Sequence, residues 1–182
     1  MNRKLFAATF LWAISVVLAV HLLQFHGSVP DFEKASGGEK LLDVKPSFSV
    51  DATYSRLEQY GEVGRRNYFF RNVSVDVVLP LSLLPFLYLL MQRASSRISL
   101  GRTARAALLS IPFAYVGFDL AENASVLALL ASYPHRLTTL SAILPFLTVI
   151  KRVASMLAIF LPLLILAFAR LRTWRQSAVA RE

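Results

Sequence analysis

Four long apolar runs, separated by short polar or basic segments, set the pattern of this chain. "LFAATFLWAISVVLAVHLL" carries no charge when His21 is neutral. It meets the roughly 20 apolar residues a helix needs to cross hydrocarbon, and predicts a first membrane helix over about 5–24. "VSVDVVLPLSLLPFLYLLMQ" predicts a second over about 72–92, with Asp76 inside it. "AALLSIPFAYVGFDLAENASVLALLAS" predicts a third over about 106–132. A fourth apolar region, 137–170, is interrupted by Lys151 and Arg152. At about 1.5 Å per residue it is about 50 Å long if wholly helical, against a hydrocarbon core of about 30 Å. Its embedded part is therefore placed at about 153–169, with the preceding residues carrying the helix to or past the membrane face. Pro80, Pro85, Pro112, Pro145 and Pro162 are compatible with these helices, because neighbours satisfy the freed carbonyls. The pattern predicts an all-α polytopic membrane protein, one membrane domain over 1–182. The first run is long for a signal peptide and lacks a small-x-small cleavage site, so it is expected to stay as a membrane helix.

The loop over 26–71 divides in two. "HGSVPDFEKASGGEKLLDVKP" is rich in Gly, Ser, Pro and charge, and predicts an extended surface linker. The remainder has more order: Ser49 or Asp51 caps a short helix on which Tyr54, Leu57 and Tyr60 recur at helical spacing, and Gly61 ends it. Arg65, Arg66 and Arg71 then bracket Tyr68, Phe69 and Phe70, the mixture expected where a chain meets lipid headgroups. These three arginines are the expected headgroup-binding set, either as an interfacial anchor or as a site for an anionic lipid or phosphate.

Composition agrees with the pattern. The chain is 55% hydrophobic and 17% charged, with a mean hydropathy of +0.52, on the apolar side of soluble domains. It contains no cysteine, which excludes disulfides, thiolate metal sites and a cysteine nucleophile. The net charge of +9 has a simple origin. Arg3, Lys4, Arg93, Arg97, Arg102, Arg105, Arg170, Arg172, Arg175 and Arg181 flank the spans at one end, against a single acid, Glu182. Seven basic and seven acidic residues balance in the loop 26–71. This asymmetry is the positive-inside signature rather than a nucleic-acid footprint. It predicts both termini in the cytoplasm and the loop outside.

The candidate chemistry lies in "FDLAEN". Asp119, Glu122 and Asn123, spaced i, i+3, i+4, share one helix face with Tyr115 a turn earlier. A charge at the bilayer centre costs at least about 2.5–3.5 kcal/mol, so this face must turn to protein or water. "SYPHR" is a short turn, which makes the third and fourth helices an antiparallel hairpin. Counted from that tip, Asp119 and Lys151 are level within a turn, and Thr148, Lys151 and Ser155 share the facing stripe. Asp76 and His21 approach from the same side on the other two helices. The predicted polar cluster is thus Asp76, Tyr115, Asp119, Glu122, Asn123, Thr148 and Lys151, in the outer half of the bundle. Three roles are open to it: an ion-pair network that fixes helix order, working groups in a ligand, ion or proton path, or a metal site using His21. The helix lacks the Glu-x-x-His pairing of carboxylate-bridged metal bundles, so no metal and no cofactor are expected.

The ordered set "LDVKPSFSVDATYSRLEQYGEVGRRNYFF", a span with Asp and Pro, "FDLAEN", "YP" and "LTVIK" resembles a broad group of small four-helix bacterial membrane proteins of uncharacterised function, over about residues 42–169. The resemblance implies four spans and an inner-membrane location, and no activity. The expected function is binding of a lipid, small molecule or protein partner through the polar cluster, with membrane lipids, a protein partner or a second copy as partners and no nucleic acid. The alternative is an intramembrane enzyme on a lipid-like substrate, with Asp119 or Glu122 as acid or base and Lys151 or Arg65 holding an anionic group.

Overall fold

A computed structural model describes residues 3–179. The terminal charges Arg181 and Glu182 lie outside the described residues, as does the side chain of Arg175. Seven helices follow in order: α1 Arg3–Leu22, α2 Val29–Ala35, α3 Val50–Gln59, α4 Gly61–Val73, α5 Val75–Ser95, α6 Arg102–Ser132 and α7 Thr138–Val179. No strand occurs among the described residues. Four segments are long and apolar enough to cross a membrane: Arg3–Leu22, Gly61–Ser95, Arg102–Ser132 and Thr138–Trp174. The protein is an all-helical, four-span membrane protein by length and composition.

The helices pack as an antiparallel bundle in which α5, α6 and α7 contact one another and α1 lies against α5. Phe6 and Phe10 of α1 meet the Phe86 ring of α5 at 5.6 and 5.3 Å. The other side of α1 exposes Leu11, Trp12, Ile14 and Leu18, as expected of a surface whose solvent is lipid. Leu87, Tyr115, Val116, Ala154 and Ala158 form the core between α5, α6 and α7, where the alanines let backbones approach closely. Both long helices run unbroken through their prolines, Pro112 in α6 and Pro145 and Pro162 in α7.

α6 and α7 are longer than a bilayer requires. At about 1.5 Å per residue α6 is about 46 Å long. Its surplus turns, with the start of α7, enter a helical headpiece made by α2, α3 and α4. Val126, Leu129, Leu130 and Leu144 pack there against Phe32, Leu41, Leu42, Tyr54, Leu57, Tyr60 and Tyr68. The Tyr54 hydroxyl donates to the His135 carbonyl at 3.1 Å and accepts from the Leu137 amide at 2.6 Å, which ties α3 to the α6–α7 turn.

Two expectations are corrected here. The segment after residue 26 is no extended linker: Ser28 caps α2 by accepting from the Asp31 amide, Pro30 falls in its first turn, and Phe32, Leu41 and Leu42 are buried. Nor is 26–71 a loop throughout, since α4 already runs from Gly61, whose φ of 62° lets the chain turn out of α3. The Ser49 cap is present, accepting from the Ala52 amide at 3.0 Å. Between α4 and α5 the helix breaks at Ser74, with φ −120° and ψ −81°.

Candidate functional site

Five of the seven residues expected in the polar cluster gather about the ammonium group of a sixth, Lys151. Lys151 on α7 lies 3.3 Å from the Asp119 carboxylate and in direct contact with Glu122, both on α6. Glu122 is completely buried and also accepts a hydrogen bond from the Thr148 hydroxyl. Asn123 donates to Asp119 Oδ2 at 3.1 Å and to the backbone carbonyl of Asp76 at 2.8 Å, linking α6 to α5. Tyr115 is buried one turn before Asp119. The seventh, Asp76, gives its carboxylate to Arg71 at 2.8 Å rather than to Lys151.

Sequence reasoning missed a third carboxylate at the ammonium. Asp43 Oδ2 lies 3.6 Å from Lys151 Nζ. Two arginines hold the loop that carries it. Arg56 on α3 donates to the carbonyls of Lys40, Leu41 and Lys45, and Arg152 on α7 donates to those of Asp43 and Val44. Guanidinium groups suit this task, since several fixed donors can satisfy carbonyls that no helix or strand engages.

The headgroup set is dispersed. Arg71 is 3% exposed, donating to the Gly27 carbonyl at 2.7 Å besides pairing with Asp76, so its guanidinium is engaged within the protein. Arg65 stacks on the Tyr133 ring at 4.1 Å and donates to the Leu57 carbonyl. Arg66 is exposed. The reason is helical geometry: residues 65, 66 and 71 face different sides of α4, and burial of Tyr68 fixes which side turns inward.

A cavity of about 210 Å³ opens beside the cluster. His21 from α1, Asp76 from α5, Asp119 from α6, Lys151 from α7 and Asp43 from the headpiece loop all reach its wall, as does Arg71. The His21 Nδ1 is 2.9 Å from the Val17 carbonyl of its own helix. Within that wall Asp43 Oδ1 and Arg71 Nε are buried and have no hydrogen-bond partner among the described residues. No group of three or more metal-ligating side chains is gathered closely enough to hold an ion, among the described residues.

The four helices bring these groups to one level. Arg3 to His21, Arg93 to Asp76, Arg102 to Asp119 and Arg170 to Lys151 each span about 26–29 Å at the helical rise. That is close to one hydrocarbon thickness of about 30 Å. No family model matches the chain, and no match was found among curated proteins or solved structures.

Proposed function

We infer that the protein is a binding protein of a bacterial inner membrane, with both termini cytoplasmic and the headpiece outside. It holds a small molecule or lipid headgroup in the cavity where bundle and headpiece meet. The observation that carries this reading is the convergence of titratable side chains from all four spans and the headpiece loop on one cavity, with two buried polar atoms of its wall unpartnered. A network serving only to fix helix order gains nothing from buried atoms left without partners, each costing about 1–3 kcal/mol. The depth supports it too. One hydrocarbon thickness from the basic ends of the helices is where headgroups lie, and there the charges avoid the cost of the bilayer centre.

The wall carries Asp43, Asp76 and Asp119 against Arg71 and Lys151, with Glu122 just behind. Carboxylates outnumber cations, so the guest that complements it carries a positive end, such as an amine or ammonium group. Catalysis is less well supported. Arg65, one of the groups assigned to hold an anionic substrate, is engaged with Tyr133 and Leu57, and the other, Lys151, already serves three carboxylates.

Thermal unfolding of the purified full chain in detergent tests the reading. Added phosphatidylethanolamine or glycerophosphoethanolamine is expected to raise the midpoint, and Asp43→Asn to abolish that rise. Equal midpoints with glycerophosphate and with the amine-bearing probes, or an Asp43→Asn response like the parent's, overturn it.

A further inference from the structure

At the opposite end of the bundle lies a second cavity, of about 480 Å³, lined by Arg3, Gln92, Arg93, Ser96, Arg97 and Arg105. Its four guanidinium groups come from three places: the start of α1, the end of α5 with the turn after it, and the first turn of α6. No carboxylate of the described residues stands within ion-pair distance of any of them. Near the headpiece the contrast is plain, because Arg56, Arg71, Arg136 and Arg152 are all engaged with carbonyls or carboxylates of the protein itself. Arg93 is further oriented by the Phe6 ring, 5.3 Å from its guanidinium carbon.

We propose that this cavity is a phosphate site that holds the headgroup of an anionic phospholipid in the leaflet on the side of the termini. Orientation of the bundle asks only for an excess of Lys and Arg at one end; it does not ask four of them to line one cavity. Guanidinium forks bind phosphate oxygens in pairs, and basic pockets between spans at the membrane face bind acidic headgroups. The position selects a lipid over a soluble anion. The cavity takes Arg3 from the first turn of α1, a helix long and apolar enough to cross a membrane, so it lies where that helix meets the membrane face.

Native mass spectrometry of the full chain in detergent tests this, with phosphatidylglycerol and cardiolipin offered against diacylglycerol, which carries neither phosphate nor amine. The anionic lipids are expected to be retained preferentially. Arg97→Gln combined with Arg105→Gln is expected to weaken their retention about thirtyfold, from the usual contribution of two basic groups at an anionic surface. Neither side chain bonds within the described residues, so the fold should survive, which the unfolding midpoint checks. Arg170→Gln combined with Arg172→Gln removes the same charge from outside the cavity and should leave retention near the parent's. An equal loss in both pairs shows attraction by overall charge and overturns the site. Arg93→Lys, which keeps the charge but loses the fork, should weaken retention by itself; parent-like retention there also counts against it. If inorganic pyrophosphate binds the parent while phosphatidylglycerol gains nothing over diacylglycerol, the lipid assignment falls.

Discussion

Arg71 and Asp76 stand on opposite sides of the helix break at Ser74 and close it with a 2.8 Å ion pair. Arg71 is almost fully buried and spends a second donor on the Gly27 carbonyl, so one side chain joins α4, α5 and the segment leaving α1. Arg71→Met is expected to lower the stability of the chain in detergent by about 3–5 kcal/mol, the scale for stranding one partner of a buried pair. Adding Asp76→Asn should return part of that loss. Thermal unfolding of the single and double variants checks it; strictly additive losses would mean that the two groups act separately.

Lys151 permits a sharper version of the same test, because three carboxylates share it. Lys151→Met should cost at least as much as Arg71→Met, since it strands Asp119, Glu122 and Asp43 together. Neutralising one acid should recover only part. Glu122→Gln is expected to recover more than Asp43→Asn, because Glu122 is completely buried while Asp43 keeps 28% of its side chain exposed. The order of recovery in unfolding midpoints is the readout, and a reversed order would place the main charge coupling in the headpiece loop.

The Lys151 cluster is legible in the sequence, and the Arg71–Asp76 pair is not. Asp119, Glu122 and Lys151 announce themselves because charges stand out in an apolar run and helical spacing puts them on one face. The hairpin then sets their level by simple counting. Asp43 carries no such signal: it sits among Gly, Lys and Glu, and its place depends on Arg56 and Arg152, which are 13 and 109 residues away in the chain. The same holds for Phe32, Leu41 and Leu42, too few and too irregularly spaced to reveal a core, yet buried by the surplus turns of α6 and α7. Arg71 resembles a surface arginine in sequence because its partner, Asp76, lies in the apolar run beyond it. Local composition describes what a segment resembles alone; burial here is decided by distant elements.

Acid should weaken the headpiece through Asp31. Burial raises its pKa, but this is outweighed by the Gly27 amide at 2.9 Å, the Asn67 amide at 2.6 Å and the neighbouring His26, leaving the carboxyl below its ordinary value of 3.8. A folded-state value below the unfolded one gives stability that is present above the unfolded pKa and lost as pH falls through the folded one. The parent is therefore expected to lose more stability below about pH 4 than Asp31→Asn does. Above that range the parent should be the more stable. Midpoints measured against pH for both proteins check it, and parallel curves would remove Asp31 from the acid response.

The depth of the polar cluster can be measured directly, because the parent contains no cysteine and single cysteines introduced into it report without background. Glu58, exposed on α3, and Ser96, exposed in the turn after α5, lie at opposite ends of the bundle. In intact cells a membrane-impermeant maleimide should label Glu58→Cys and leave Ser96→Cys untouched until the membrane is opened. The decisive positions are on α7, where Ile143 and Phe160 are 47% and 58% exposed on either side of Lys151. With Lys151 about 28 Å from Arg170 along the helix, Ile143 lies beyond the hydrocarbon and Phe160 within it. Ile143→Cys is therefore expected to react from the headpiece side, and Phe160→Cys to stay silent while lipid surrounds it. Silence at both would sink the exposed face of α7 through its first turns and put Lys151, Asp119 and Glu122 near the middle of the bilayer. There an uncompensated charge is most costly, and the replacement of Lys151 by Met should then hurt more in the bilayer than in detergent.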